Sequence, residues 1–361
     1  MIRHFPMDIE LLKNKIIPDS IAIWSITPNG KILGKKILLA IKGSSLFVSA
    51  KIGGKDTCEE NTITFEKLSA EIHYQFNKFS GHVFIFSTGI AIRIIAPLLK
   101  SKIIDPAVVV VDDNGTHAIS LISGHLGGAN RLAKKIAGII SGTPVITTAT
   151  DTNKLPAIDL IAKKRKVFIE TPQNIKHINM AFLMGEPVSL FDPFGFIKND
   201  LPKHFWTSEN PRKSSTKKIF CSFKIKDVSR ETLILRPPVL SIGIGCNRGT
   251  SCEEIKQFLL MVLKKESLSI KSICQFATAD IKKDETGLLA LSEELKIGIL
   301  FYDNKNLNSV KTIKTPSKMV EKHLGVKSVC EAAAILAADN GKLIVPKKKN
   351  KDVTLAVAIK K

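Results

Sequence analysis

The sequence predicts an α/β protein whose two or three domains are built on mainly parallel sheets flanked by helices. Three observations predict it. Short apolar, β-branched runs alternate with stretches of helical periodicity along nearly the whole chain, the pattern of strands covered by crossover helices. A length of 361 residues exceeds what one core fills. The pair Pro237-Pro238 interrupts the alternation, and a new strand-like run follows it. The domains expected from these breaks are residues 1–140, a less readable middle at 141–236, and 237–361.

In chain order, residues 21–27 read as a strand ended by the turn Pro28-Asn29-Gly30. Residues 31–42 place Ile32, Ile37, Leu38 and Ile41 at near-helical spacing. Strands are expected at 46–49 and 83–87, with a helix between them at 65–78. Residues 107–111 are wholly apolar, as in a strand buried on both faces. Asp112-Asp113-Asn114-Gly115 then signals a hairpin into a strand at 117–122. A helix is expected at 124–140, a strand at 144–148, and helices near 157–166 and 174–184. Residues 208–218 are polar, with Pro211 and several serines, and read as an exposed linker. Beyond Pro238 the pattern gives a strand at 239–245 and a helix at 252–264, whose start has Ser251 before Glu253 and Glu254, suited to capping and to the helix dipole. A strand at 298–302, a helix at 328–338 and strands at 342–345 and 353–359 complete the chain.

Composition excludes several classes. No run of 18 apolar residues exists, and the most apolar stretch carries Arg93 and Pro97, so no membrane partner is expected. Residues 1–10 contain Arg3, His4, Pro6 and Asp8 and no apolar signal core, so a cytoplasmic location is expected. The net charge is +21, yet only eight of the 54 basic residues are arginine and aromatics are 6%. Sites that read or stack on bases favour arginine and aromatics, so no nucleic-acid partner is expected. The lysines suit a solvated surface or a field that attracts a polyanionic substrate. Cys58, Cys221, Cys246, Cys252, Cys274 and Cys330 form no CxxC pair, and no metal site is expected.

Three segments carry the densest chemistry. In residues 87–97, a strand ends in small residues before a helix-like run; Thr88 is placed to cap it, Gly89 to let a ligand approach its amides, and Arg93 to complete an anion site. A plain strand-to-helix turn accounts for the same residues. In residues 112–137, Ser123-Gly124-His125-Leu126-Gly127-Gly128 packs a hydroxyl, an imidazole and glycines between strand and helix. Open sheets bind ligands at their carboxyl edge, which makes His125 a candidate general base or acid, with Asp112, Asp113 and His117 expected nearby. Ser123 is a candidate nucleophile outside any GxSxG elbow. In residues 241–254, Gly243, Gly245 and Gly249 give GxGxxxG rather than the dinucleotide fingerprint, so an anion site beside Arg248 is the stronger reading. Asp284 and Glu285 read as a solvated loop. Glu331, on a helix rich in alanine, faces either a ligand or close helix packing.

These segments together resemble the cobalt-precorrin-5A hydrolases. The resemblance is carried by Gly89-Ile90-Ala91-Ile92-Arg93, by Ile119 through Asn130, by Gly243 through Thr250, by Asp284-Glu285-Thr286-Gly287-Leu288 and by Ser328 through Ala334. It runs from about residue 21 to the end, with a middle that has no matched motif. Asn247 and Thr286 depart from the pattern, where a second basic residue and a proline are expected. The carboxyl half also resembles a small stand-alone corrinoid-pathway protein. The resemblance implies an enzyme of anaerobic cobalamin assembly that opens the ring-A δ-lactone of cobalt-precorrin-5A with water, giving cobalt-precorrin-5B and acetaldehyde. It implies no protein-held cofactor, since cobalt arrives within a polyanionic corrinoid. Set beside that chemistry, the candidate residues of these segments are His125, Ser123 and Asp112 for catalysis, and Thr88, Gly89, Arg93, Gly124, Gly127, Gly128, Asn130, Gly245, Arg248 and Glu331 for binding. A non-catalytic corrinoid carrier is the alternative. Small-residue helices leave room for a homodimer.

Overall fold

Apolar strands alternate their side chains between two faces, so a strand covered on both sides must be apolar at every position. The computed structural model shows this for residues 107–111, a wholly buried strand of the first sheet; it describes residues 20–53, 60–101, 104–125, 127–208, 217–316, 326 and 328–360. Cys58, the opening residues 1–10, Leu126 and most of the 208–218 linker therefore lie outside the described residues. The chain divides into two units, Met1–Leu155 and Pro156–Lys361. The first unit runs past residue 140 because its sheet takes in the strand Thr143–Val145.

The first unit holds seven strands: β1 (Ile21–Ser25), β2 (Ser44–Ser49), β3 (Thr62–Phe65), β4 (Gly81–Ile85), β5 (Ala107–Val111), β6 (His117–Ile122) and β7 (Thr143–Val145). Their order is β3-β2-β1-β4-β5-β6-β7. The first five are parallel, β6 returns antiparallel to β5, and β7 lies parallel to β6. Helices α1 (Pro28–Ala40), α2 (Leu68–Gln75), α3 (Thr88–Ile95) and α4 (Ala129–Ile140) accompany them. Ile23, Val83, Ile85, Val109 and Val111 pack with Ile37 of α1 and Ile136 of α4. Ala22, Trp24, Phe84, Val108 and Val110 pack with Ile72 of α2 and Ala91 and Ile95 of α3. Pro28-Asn29-Gly30 is no turn. Thr27 accepts a hydrogen bond from the Gly30 amide and Pro28 opens α1, because proline's fixed φ suits the first helical position. Buried His82 is satisfied on both nitrogens, by the Trp24 indole N–H (3.1 Å) and the Phe76 carbonyl (3.0 Å).

The second unit contains two sheets. One has β8 (Phe168–Ile169), β9 (Val188–Phe191), β10 (Trp206–Thr207), β11 (Lys218–Cys221) and β12 (Leu233–Arg236), in the order β10-β9-β11-β12-β8. It is accompanied by α5 (Ile158–Lys164) and α6 (Ile175–Leu183). After Pro237-Pro238 come β13 (Leu240–Cys246), β14 (Ile273–Ala279), β15 (Ile299–Tyr302), β16 (Lys342–Lys349) and β17 (Val353–Ile359), in the order β15-β14-β13-β17-β16. Helices α7 (Cys252–Lys265), α8 (Thr286–Leu295) and α9 (Val329–Ala337) cover this sheet. Ser251 and Glu254 form a full capping box on α7. The alanines of α9 are buried with Ala277, Ala356 and Ala358 of the sheet. A Cβ at Gly243 would lie 1.8 Å from the Cys330 carbonyl oxygen, so β13 and α9 meet backbone to backbone. The small residues of α9 thus serve packing inside this unit, which removes them as a reason to expect a homodimer.

Candidate functional site

The hairpin decides where each candidate residue lies. Ile122 pairs with Val108 and Ala118 with Val111, so β6 runs back along β5. The turn after β6 therefore emerges where β1, β4 and β5 begin, not where they end. Asp112 and the Thr88-Gly89 turn lie at the carboxyl edge of the parallel strands, while residues 123–125 and 127–130 lie at the opposite edge. The intervening strands have five residues each, about 15 Å of backbone. The expected grouping of His125 with Asp112 is thus corrected: a hairpin reverses direction, and reversal moves the turn to the other edge.

What His125 does meet is the segment after β7, which runs parallel to β6 and ends beside it. Its Nε2 is 2.9 Å from Asp151 Oδ2 and 3.0 Å from Thr150 Oγ1. Asn130, in the first turn of α4, donates from Nδ2 to the same Asp151 oxygen (2.8 Å) and to Thr148 Oγ1 (2.9 Å), while its Oδ1 accepts from Ser120 Oγ (2.6 Å). A carboxylate can only accept, so the network assigns a proton to His125 Nε2; a neutral ring then has its lone pair on Nδ1. The His125 and Asp151 side chains are 16% and 24% exposed, open enough for a substrate and sheltered enough for the charge to matter. Asn130 was expected to touch ligand; it orients Asp151 instead.

The glycines fold this turn onto itself. A Cβ at Gly127 would lie 2.3 Å from Ser123 Cβ, and one at Gly124 would lie 2.7 Å from Asn130 Oδ1. Gly128 is left-handed at φ 91°, as is Ser123 at φ 59°, a region that costs a residue with a side chain. Amides of Gly128, Ala129 and Asn130 bond the carbonyls of His125, Ser123 and Gly124 and are engaged in closing the turn. Ser123 Oγ is buried with no hydrogen-bond partner among the described residues, so none of them is hydrogen-bonded to it as a base.

At the other edge, Thr88 is the first residue of α3 rather than its cap, and Ser87 before it makes no side-chain cap bond. Arg93 is exposed in the last turn of α3, where a cation complements the helix's carboxyl end rather than completing an anion site at its start. Asp112 accepts from the backbone amides of Asn114, Thr116 and His117. Burial pushes its carboxyl up, yet those bonds outweigh burial and hold it below the ordinary range. It therefore secures the hairpin, away from His125. The neighbouring Asp113 accepts from the Thr27 hydroxyl, a contact that sequence reasoning did not find.

The carboxyl segments prove self-satisfied. Arg248 pairs with Asp284 at 2.6 Å, and the Gly249 amide donates to Glu285 at 2.8 Å. Glu285 is 3% exposed and also meets Lys282 at 3.0 Å. Burial raises its carboxyl, and Lys282 with the Gly249 amide brings it below the ordinary range. The expected anion site is thus already filled by the chain's own carboxylates, and Glu285 is not a solvated loop residue. Gly243 serves packing, and Gly245 makes room for Thr354, whose Oγ1 would lie 2.6 Å from an added Cβ. Glu331 is fully buried and accepts from the amides of Lys314 (2.7 Å), Thr315 (3.0 Å) and Lys347 (2.9 Å). Burial raises its carboxyl as well, and the backbone donors bring it below the usual value. It ties β16 to α9 rather than facing a ligand.

Among the described residues, no group of three or more His, Cys, Asp and Glu side chains converges as for a metal ion. No helix among them is long and apolar enough to cross a membrane.

Comparison with known proteins is consistent along the chain. Three family descriptions match in order: cobalamin synthesis G N-terminal over residues 71–151, cobalamin biosynthesis central region over 156–237, and cobalamin synthesis G C-terminus over 240–358. The cobalt-precorrin-5A hydrolase of Priestia megaterium is 32% identical over 360 residues, covering 94% of each chain. That of Salmonella typhimurium is 31% identical over 363 residues, covering 96% of this chain and 99% of its own. A solved structure of a cobalamin biosynthesis protein G homolog from Sulfolobus solfataricus is 24% identical, covers 96% of this chain and 100% of its own, and has a TM-score of 0.36. With three consecutive family matches and two nearly full-length relatives above 30% identity, the chain belongs to the cobalt-precorrin-5A hydrolase family of cobalamin biosynthesis.

Proposed function

We propose that the chain hydrolyses the ring-A δ-lactone of cobalt-precorrin-5A to give cobalt-precorrin-5B and acetaldehyde, with His125 as the proton-transferring group. The observation that carries this reading is the Asp151–His125 pair, held by Asn130 and Thr150 at the joined ends of β6 and β7. Water attack on a lactone needs a base for the water, and an acid for the departing oxygen. His125 takes the water proton as the new carbon–oxygen bond forms, and Asp151 stabilises the imidazolium. The acyl–oxygen bond then breaks, leaving a carboxylate, and the imidazolium protonates the alkoxide. Loss of the hydroxyl proton drives cleavage of the adjoining carbon–carbon bond. Its electron pair passes into the macrocycle, which takes up a proton, and the two-carbon fragment leaves as acetaldehyde. One water enters and one acetaldehyde leaves, with cobalt carried by the substrate and no cofactor required by this balance.

Support comes from the relatives named cobalt-precorrin-5A hydrolase and from a histidine–carboxylate pair suited to acyl hydrolysis. The test is anaerobic incubation of the purified chain with cobalt-precorrin-5A, following acetaldehyde and the corrinoid mass together. Acetaldehyde in step with the matching mass change is expected, and is expected to vanish in His125→Ala. Tight corrinoid binding without acetaldehyde would replace this reading with that of a carrier.

A further inference from the structure

We propose that a cavity in the second unit, at the carboxyl ends of β13 and β14, binds an organic anion bearing two or more carboxylate groups. The cavity measures about 560 Å³, within the range of small-molecule sites and far larger than a single ion needs. Among the described residues, Lys282, Lys347, Lys349 and Lys351 line it with one carboxylate, Asp352; Lys282 is paired with Glu285 and Lys347 Nζ donates to the Thr315 carbonyl at 3.1 Å. Asp352 accepts from Asn247 Nδ2 at 3.0 Å and keeps its charge, so Lys347, Lys349 and Lys351 leave the wall with a net positive charge.

The lysines belong to an edge strand and its turn, where lysine also serves to block pairing with another chain. That role would not distinguish one face from the other. Here Lys347 and Lys349 line the cavity while Lys348 pairs with Glu266 at 3.2 Å. The start of α9, through Val329 and Cys330, forms another wall, and Ser328 before it makes no side-chain cap bond. The positive end of that helix thus adds to the field.

The decisive group is Thr278, at the end of β14. It lines the cavity, is 1% exposed, and its Oγ1 has no hydrogen-bond partner among the described residues. A buried hydroxyl is nearly always bonded, and one in a cavity lined by lysines is suited to a carboxylate oxygen. Lysines spread over several walls act as separate point charges, which calls for several anionic groups on one molecule.

This inference does not rest on the proposed reaction, since His125 belongs to the other unit. Calorimetric titration of the full chain with citrate, and in a second arm with uroporphyrin, an octacarboxylate tetrapyrrole, tests it. Binding in at least one arm is expected, weakening with salt. The K349Q/K351Q double variant should bind about tenfold more weakly, and Thr278→Val, which keeps the shape, several-fold more weakly. His125→Ala should bind as the native chain does. Citrate binding alone would assign the cavity to a separate small polyacid, and uroporphyrin binding alone to tetrapyrrole side chains. Absence of binding in both arms, or affinity unchanged in K349Q/K351Q and Thr278→Val, overturns the proposal. Binding without acetaldehyde release would leave this site standing and remove the reaction, and the converse holds.

Discussion

Replacing Asp151 by asparagine isolates the charge in the candidate catalytic pair. A single oxygen, Oδ2, accepts from both His125 and Asn130, so an asparagine that presents its carbonyl there keeps both bonds. Only the negative charge is removed. Two unit charges about 4 Å apart interact by about 4 kcal/mol at an effective dielectric near 20. The side chains are 16% and 24% exposed, and screening at that exposure reduces the figure to about 2–3 kcal/mol. If the His125 ring is neutral in the ground state and becomes imidazolium in the transition state, kcat should fall roughly thirty- to 150-fold with KM little changed. Single-turnover acetaldehyde release under anaerobic conditions measures it. A kcat within threefold of the native value would refute the role given to Asp151, and with it the assignment of His125 as base.

Three further predictions concern the frame. Glu331→Gln turns one oxygen into a donor facing backbone N–H groups, and should loosen β16 and α9 by about 2–4 kcal/mol. Hydrogen exchange in peptides spanning Val329–Ala337 and Lys342–Lys349 should accelerate roughly thirtyfold or more. Because the Glu331 carboxyl is held below its usual value of 4.5, its stabilisation is complete above that pH and is lost as pH falls through the lower folded value. The native and Glu331→Gln chains should therefore converge in protection under acid, and a gap that stays constant down to acid pH contradicts this. Gly243→Ala places a methyl against the Cys330 carbonyl and should cost about 3 kcal/mol or more, read as a fall in the melting temperature; an unchanged melting temperature would disprove the close approach. Ser251→Ala removes a capping box and should cost about 1 kcal/mol, visible as faster exchange confined to the first turn of α7.

The two edges of the first sheet explain why motif position misleads when read alone. Thr88 and Gly89 follow a parallel strand, and His125 follows a strand just as apolar, so both were placed at one carboxyl edge. Only the antiparallel pairing of Val111 with Ala118 separates them. The Asn114-Gly115 step marks the hairpin in the sequence, and the reversal it imposes carries His125 to the opposite edge. Asp151 was missed for a different reason. It is 26 positions from His125 and sits in an unremarkable stretch of threonines, so nothing local marks it.

Much of the architecture was legible in the residues themselves. The apolar runs at β5 and β13, the turn at Asp112 to Gly115 and the cap at Ser251 are local physical constraints, and each appears in the fold. Periodicity reports which face of an element is buried, and long motifs in fixed order identify the family. The partners of charged groups were decided only by tertiary structure. Arg248 looked like a ligand-binding cation and met Asp284; Glu331 looked like a ligand contact and met three backbone amides. Sequence records which groups need a partner, but hydrogen bonds and ion pairs act over about 3 Å, and what lies within that distance is set by how remote segments pack.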